Sequence, residues 1–594
     1  MQQGFTGALM ETLSRNWKSR SAYAIYVFLG LLVGHPAFGG DESWMEDNAY
    51  RYRNNNLTTL SVPATHDTGM YTLNLGMTEL GVANLSAHIS LAGITLFDLP
   101  VTSGVVEAGE LLNIFDQLMA VVDAVDTQCV DIPSVLHICT SFGISNAVWD
   151  WVGPYYEMAT TKPSELSITQ NLDLYGQLYN GARMFNLRPK VQRGEFYIHH
   201  SQGGIELGVP ENFHYELDLG IDVPCIGIDY FDLCVPGTGE RHSFGKFSAS
   251  ASIRLESMSA TGPRLGDALG DIRRYLEEGH RELLVVDFSH YWKGLNGAFF
   301  TPAEASELIA TVESELGPWM LTSSMLPADG SNTVEERLRH AVLPELIGDQ
   351  GRVIVTFEDR DSLGDAIPDV ARGFWPGGLL GGDGGWLNTN ELSTLYSKQT
   401  ETWISADTER FELFWTLTCP RDGFDCSVRD LAAIANPELP SFVDGLTIPN
   451  SKGNIINEIW VDFIDETAAT QIAIGLNPVA VDVDLKPGNK QNNVNPRLRG
   501  GIWVAVLSDS LSPIDALQIN TETVRCGPGG AAPIRKRVKD VNRDGLADLM
   551  LRFKVKDLGL ECGDSTIDLK ATTFDGQRLI GIDTLRTVGC ERMK

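Results

Sequence analysis

Six short apolar runs, each handing over to a polar side chain, constrain the fold of this chain more than any other feature. Residues 58–62 lead to His66, 183–187 to Arg188, and 196–198 to His199 and His200. Further along, residues 283–286 lead to Asp287, 353–357 to Glu358, and 457–461 to Asp462. Near-continuous apolar runs suit strands covered on both faces, as in a parallel sheet. Between them the patterning turns helical. Leu265, Leu269, Ile272 and Leu276 recur at helical spacing, with Gly279 placed to end the helix. Thr301-Pro302-Ala303-Glu304 reads as a capping box with proline at the first helical position. Alternation of β and α over this length predicts an α/β fold, an irregular TIM-like (β/α) barrel. In such a barrel polar residues at the C-terminal strand ends converge on one mouth.

The chain has 594 residues, 43% of them hydrophobic and 21% charged, which indicates globular protein with more than one core. A net charge of -32 leaves no dominant cationic surface, which argues against a nucleic-acid partner and against tight docking on anionic lipid. Transient contact with a membrane surface stays open. Arg15, Lys18 and Arg20, the apolar run 22–33 and Gly34-His35-Pro36-Ala37-Phe38-Gly39 read as a secretory signal over residues 1–39, cleaved near Gly39. The run is short of the roughly 20 residues that span a bilayer; an uncleaved anchor is the alternative. Nine cysteines fit a secreted, cell-surface or periplasmic location. Close spacing pairs Cys129 with Cys139, Cys225 with Cys234 and Cys419 with Cys426, leaving Cys526, Cys562 and Cys590 with one unpaired or linked elsewhere.

Near Val479 the texture changes. Residues 479–594 are rich in β-branched residues, glycine and turn signals, and predict a separate all-β, sandwich-like module. Within it, Asp540-Val541-Asn542-Arg543-Asp544-Gly545-Leu546-Ala547-Asp548 alternates oxygen side chains around a glycine turn. That is the pattern of a calcium loop, with Asp540, Asn542, Asp544 and Asp548 ligating by side chain and Leu546 by its carbonyl. An Asx-rich turn is the structural alternative.

Two histidines and an arginine at strand exits are the equipment for acid–base work on a phosphodiester. The residues around them also carry a resemblance. Leu60-Ser61-Val62-Pro63-Ala64-Thr65-His66-Asp67-Thr68-Gly69, preceded by Trp44-Met45, resembles the opening motif of the phosphatidylinositol-specific phospholipase C X-domain family. Residues 181–189 resemble its arginine motif and residues 196–201 its second-histidine motif. The resemblance covers roughly residues 44–470 and places the catalytic unit in 40–478, with insertions at about 78–163 and 203–260. The first insertion reads as an extra helical layer with a small core of its own, or as a lid over the mouth. The tail resembles modules of secreted bacterial proteins through Asp484-Leu485-Lys486-Pro487-Gly488 and Thr573-Phe574-Asp575-Gly576.

The resemblance implies roles. His66 is the base that activates the inositol 2-hydroxyl, and His200 the acid for the leaving group, supported by Asp67. Arg188 binds the phosphate. An aspartate late in the chain pairs with His66, and Asp462 fits it better than Asp465. Asp287 and Asn186 stand where substrate is contacted. His199 points to the opposite face from His200 and reads as structural. Two departures matter: Asn186 replaces an acidic residue, and Ser201 replaces a common glycine. With a guanidinium in place of a metal's charge, catalysis is expected to need no cofactor, and calcium is expected only as a structural ion in the tail. The implied substrate is a phospholipid or another inositol phosphodiester. Two alternatives remain. A glycerophosphodiester phosphodiesterase would need a Glu-x-Asp where Asn186-Leu187-Arg188 stands. A secreted binding protein would have lost turnover. The glycine-rich stretch 377–385 lacks the lysine of a phosphate loop and reads as a loop. Its neighbours Phe374, Trp375 and Trp386 either line a lipid-contacting rim or pack inside.

Overall fold

The computed structural model describes residues 41–590, apart from 133–135, 142, 204–206, 208–209, 223–225, 229–230, 234–240, 292, 294, 296–298, 329–332, 359–362, 364–367, 421–424 and 510–513. The expected signal segment lies outside the described residues, as do Cys225 and Cys234.

Eight parallel strands form the central sheet, in the order Phe374–Pro376, Arg352–Phe357, Leu283–Phe288, Met184–Leu187, Val62–Thr65, Glu458–Val461, Phe411–Phe414 and Asp383–Gly384. Its inner strands Val62–Thr65, Leu283–Phe288, Arg352–Phe357 and Glu458–Val461 are almost wholly buried, which explains their apolar runs. Side chains alternate between the two faces. Phe185, Leu187, Leu284, Val286, Val353 and Val355 point outward into a core shared with the helices Leu265–Glu277 and Pro302–Leu316. The second helix opens on the expected Thr301–Glu304 capping box. Val62, Ala64, Met184, Val285, Ile354, Trp375 and Trp460 point inward and share one core with Trp44, Met45 and Tyr52. Residues from near both ends of the sheet meet there, so the sheet is curled. The expected irregular barrel is present as a curled half-barrel: among the described residues no ladder joins the edge strands Phe374–Pro376 and Asp383–Gly384.

The two insertions depart most from expectation. Glu79–Leu91 and Ile94–Glu107 form a hairpin, and the first of these strands also pairs with Arg241–Arg264. That long strand pairs in turn with Asn212–Asp222 and with Glu195–Gly203, which pairs with Pro189–Gln192. The insertions therefore build one antiparallel sheet together. Helices Ala108–Asp126 and Ile144–Thr160 cover it. Its core is not its own: Leu80, Val82, Leu85, Ala87 and Ile89 join Leu111, Phe115, Val148 and Trp151 in a cluster that runs on to Trp403, Phe411 and Ile459 of the parallel unit. Each Leu, Val, Ile or Phe side chain buried there contributes roughly 1.5–3 kcal/mol.

From Val479 onward two four-stranded sheets face each other over one core that includes Val479, Leu485, Val504, Leu551 and Leu569. Cys562 and Cys590 form a disulfide, and Cys526 is free and buried in this core. Cys419 and Cys426 are bonded as expected. Cys129 and Cys139 stand opposite each other in an antiparallel ladder; their side chains lie outside the described residues. No described helix is long and apolar enough to cross a membrane.

Candidate active site

The C-terminal ends of the parallel strands surround a cavity of about 550 Å³. Period two along each strand explains which residues reach it. Two or four positions beyond an inward core residue comes a polar one: Ala64 then His66, Met184 then Asn186 and Arg188, Val285 then Asp287. Ile354 likewise precedes Thr356 and Glu358, and Trp460 precedes Asp462. All of these polar residues line the cavity.

Asp67 is the hub. It is 2% exposed and sits at φ 44°, a left-handed backbone that aspartate tolerates. The turn is held from several sides. The Thr169 hydroxyl donates to the Asp67 carbonyl at 2.9 Å, and the Asn186 amide donates to Thr68 Oγ1 at 2.9 Å. Gly69 lets the turn lie against the strand that carries His200: a Cβ there would stand 2.3 Å from Ile198 Cδ1.

Three groups converge on this carboxylate. Arg188 Nε is 2.7 Å from Oδ1; His66 Nε2 and His200 Nε2 are 3.4 and 3.2 Å from Oδ2. The other nitrogen of His66, Nδ1, is 3.0 Å from Asp462 Oδ1. The His66 ring stands edge-on to Phe414, which stacks on Trp460. His66, Asp67, Arg188, His200 and Asp462 are thus brought together. Asp465 is not: its carboxylate takes the Asn171 amide on the surface.

Charge follows from these contacts. Burial works to raise the pKa of Asp67, but Arg188, His66 and His200 hold it well below the usual carboxylate range. Burial works to lower His66, and Asp67 and Asp462 outweigh it, so its pKa lies above the ordinary imidazole value. Burial raises Asp462 and His66 partly offsets the rise.

His200 does not come from a parallel strand exit, as expected from the sequence. It lies inside the antiparallel strand Glu195–Gly203, paired with Ala260. The two sheets abut, and the site is assembled across their junction.

The same cavity has an acidic wall that sequence reasoning reached only in part. Asp287 accepts from the Thr356 hydroxyl at 2.6 Å and from the Asn186 amide at 3.1 Å. Parallel register sets these three residues side by side. Burial, then Glu358, raises Asp287 well above its usual pKa. Glu412 accepts from the Gly382 amide at 2.8 Å, and burial with Glu458 pushes it up to about 8. Glu458 is paired with Arg410 and accepts from the Trp460 indole. Glu412 and Glu458 were not expected in the site. They sit at the starts of their strands, second in Phe411–Phe414 and first in Glu458–Val461, and only their inward facing marks them. Of the aromatics near the glycine-rich stretch, Phe374 and Trp375 are buried, whereas Trp386 lines the cavity and is 49% exposed.

In the tail loop, Asp540 accepts from the Arg543 and Gly545 amides, and Asp544 from the Leu546 amide and the Asn542 side chain. Asp548 is buried and accepts from the Ser508 and Val541 amides. Leu546 is 38% exposed. Among the described residues, no group of three or more His, Cys, Asp or Glu is placed to hold a metal ion.

No protein-family profile matches this chain, and no curated protein does. Among solved structures, the phosphatidylinositol-specific phospholipase C from Listeria monocytogenes aligns over 74% of this chain and 99% of its own, at 14% identity and a TM-score of 0.36. A mutant of the phosphatidylinositol-specific phospholipase C from Staphylococcus aureus aligns over 73% and 96%, at 12% identity and a TM-score of 0.36.

Proposed function

We propose that this chain is an exported phosphodiesterase that cleaves an inositol-type phosphodiester through a cyclic phosphate. The observation that carries the reading is the convergence of His66, His200 and Arg188 on Asp67, with Asp462 behind His66. Asp462 accepts the Nδ1 proton and leaves Nε2 of neutral His66 as the base. His66 takes the proton of a substrate hydroxyl, whose oxygen attacks phosphorus. Arg188 stabilises charge on the phosphoryl oxygens. His200 protonates the departing alkoxide as the phosphorus–oxygen bond breaks. The sequence leaves no enzyme nucleophile in the step; the proton lost by the hydroxyl and the proton gained by the leaving group balance.

The acidic wall suits a polyol. Ionised carboxylates accept from hydroxyls, and carboxyls kept protonated donate to them. Asp287, Asn186 and Glu412 are the proposed contacts. We also propose, from spacing alone, that the tail loop Asp540–Asp548 binds calcium.

The test is turnover of a soluble inositol phosphodiester by the full chain, followed by phosphorus NMR. A cyclic phosphodiester is expected first. His66→Ala and His200→Ala are each expected to lose about 10²- to 10⁴-fold in rate. An acyclic monoester appearing first, or more than a tenth of the rate surviving in either variant, would overturn the reading. Tight binding without turnover by the wild type would favour a silent binding protein.

A further inference from the structure

The two histidines of the site are held differently. His66 has Asp462 on its second nitrogen. His200 has Asp67 on Nε2, while its Nδ1 is buried with no hydrogen-bond partner. An acid that must meet a leaving oxygen within a few tenths of an ångström needs its ring fixed. For His200 that constraint has to come through the strand.

His199 supplies it. Adjacent residues of a strand face opposite ways, and His199 is 2% exposed on the far face. Its Nε2 lies 3.1 Å from the carbonyl oxygen of His290, just past the strand Leu283–Phe288 that carries Asp287. Its Nδ1 lies 3.0 Å from Ser201 Oγ. A carbonyl only accepts, so the proton is on Nε2. Nδ1 then accepts, and the Ser201 hydroxyl donates to it. Burial pushes the His199 pKa down to about 3, so the ring stays neutral. Residues 199 and 201 therefore brace 200 from both sides, tying the antiparallel strand to the mouth of the parallel sheet. This also gives a use to serine at position 201: the residue borders the cavity, and its hydroxyl bonds His199.

We propose that His199 and Ser201 are positioning residues for His200, setting where the leaving group is protonated. The inference rests on the acid role given to His200 above, and the experiment separates the two. Two inositol phosphodiesters are compared on the full-length protein, one with an alkyl leaving group and one with p-nitrophenol. The phenolate departs without a proton, so it bypasses His200. His199→Ala is expected to lower kcat on the alkyl diester by about 10- to 100-fold, with KM within about twofold. On the p-nitrophenyl diester it is expected to lose less than about threefold. Ser201→Ala should show the same pattern, weaker. His199→Gln, whose amide nitrogen reaches the place of Nε2, should recover most of the alkyl rate. Equal loss on both substrates, or no loss on either, would overturn the proposal. If His199→Ala does not fold, as judged by its melting curve, Ser201→Ala must show the selective loss or the proposal falls. His200→Ala serves as reference. If it lacks leaving-group selectivity, the acid role itself is wrong; if it has selectivity and the His199 and Ser201 variants do not, only the positioning role is wrong.

Discussion

At Asp67 burial competes with three neighbours and loses, and the consequence appears on His66. With Asp67 and Asp462 both beside it, the imidazole holds its proton above the ordinary value of 6.5. A base must be deprotonated in the free enzyme, so kcat/KM should fall as pH drops through a midpoint above 6.5. Replacing Asp462 with Asn removes one of the two charges that raise His66. The midpoint should then move to lower pH, while the plateau falls because the tautomer is no longer fixed. Rate measurements across pH on both proteins check this. A wild-type midpoint at or below 6.5, or an upward move in Asp462→Asn, would contradict the charge assignment. Of the residues in this site, His66, Arg188 and Asp462 were legible because each follows an apolar run. Glu412 and Glu458 were not, because a carboxylate inside an apolar run looks like an interruption until the curl of the sheet gives it an inside.

Elements show where pattern reading fails for a physical reason. The apolar positions of Glu79–Leu91 run Leu80, Val82, then Leu85, Ala87 and Ile89, with a one-residue slip. The pairing shifts register between Val82 and Leu85, where a bulge absorbs the extra residue. That slip breaks the period-two signal that would mark the segment as a strand. The helices Leu265–Glu277 and Pro302–Leu316 and the parallel strands Met184–Leu187, Leu283–Phe288, Arg352–Phe357 and Glu458–Val461 match the sequence reading in type, whereas the first strand, Val62–Thr65, begins where the run 58–62 ends, and the stretch 377–385, read as a loop, contributes the short strand Asp383–Gly384. The junction between the two sheets makes a prediction of its own. A Cβ at Gly69 would stand 2.3 and 2.8 Å from Ile198 Cδ1 and Cγ2. Ile198 precedes His200 by two residues on the same face. Gly69→Ala should therefore cost about 1–3 kcal/mol of stability by overpacking and slow turnover by moving His200 away from Asp67. Adding Ile198→Ala should restore part of both losses, a coupling that a double-mutant cycle reads directly. Additive losses would mean that the close approach does not position the acid.

At the scale of the whole chain, the cavity at the strand ends and the tail stand on separate cores, so they can answer differently to metal. In the cavity Arg188 supplies positive charge beside Asp67, and Asn186 offers an amide rather than a carboxylate. Turnover on a soluble substrate should then survive a chelator. In the tail loop the carboxylates of Asp540, Asp544 and Asp548 accept hydrogen bonds from the protein. An ionised carboxylate has about four lone-pair sites, so these bonds leave capacity for an ion, with the half-buried Asp540 and the exposed Asp544 more available than the buried Asp548. An ion bound only to the folded tail stabilises it by about 2.7 kcal/mol at a hundredfold excess over its dissociation constant. Calorimetry of the full chain should show a tail transition that drops when calcium is chelated and returns when it is restored. The rate assay on the same samples should stay nearly constant. A large loss of rate would place a metal in the catalytic cavity, with the acidic wall as its ligands. An unmoved tail transition would leave Asp540–Asp548 as a turn closed by its own side chains.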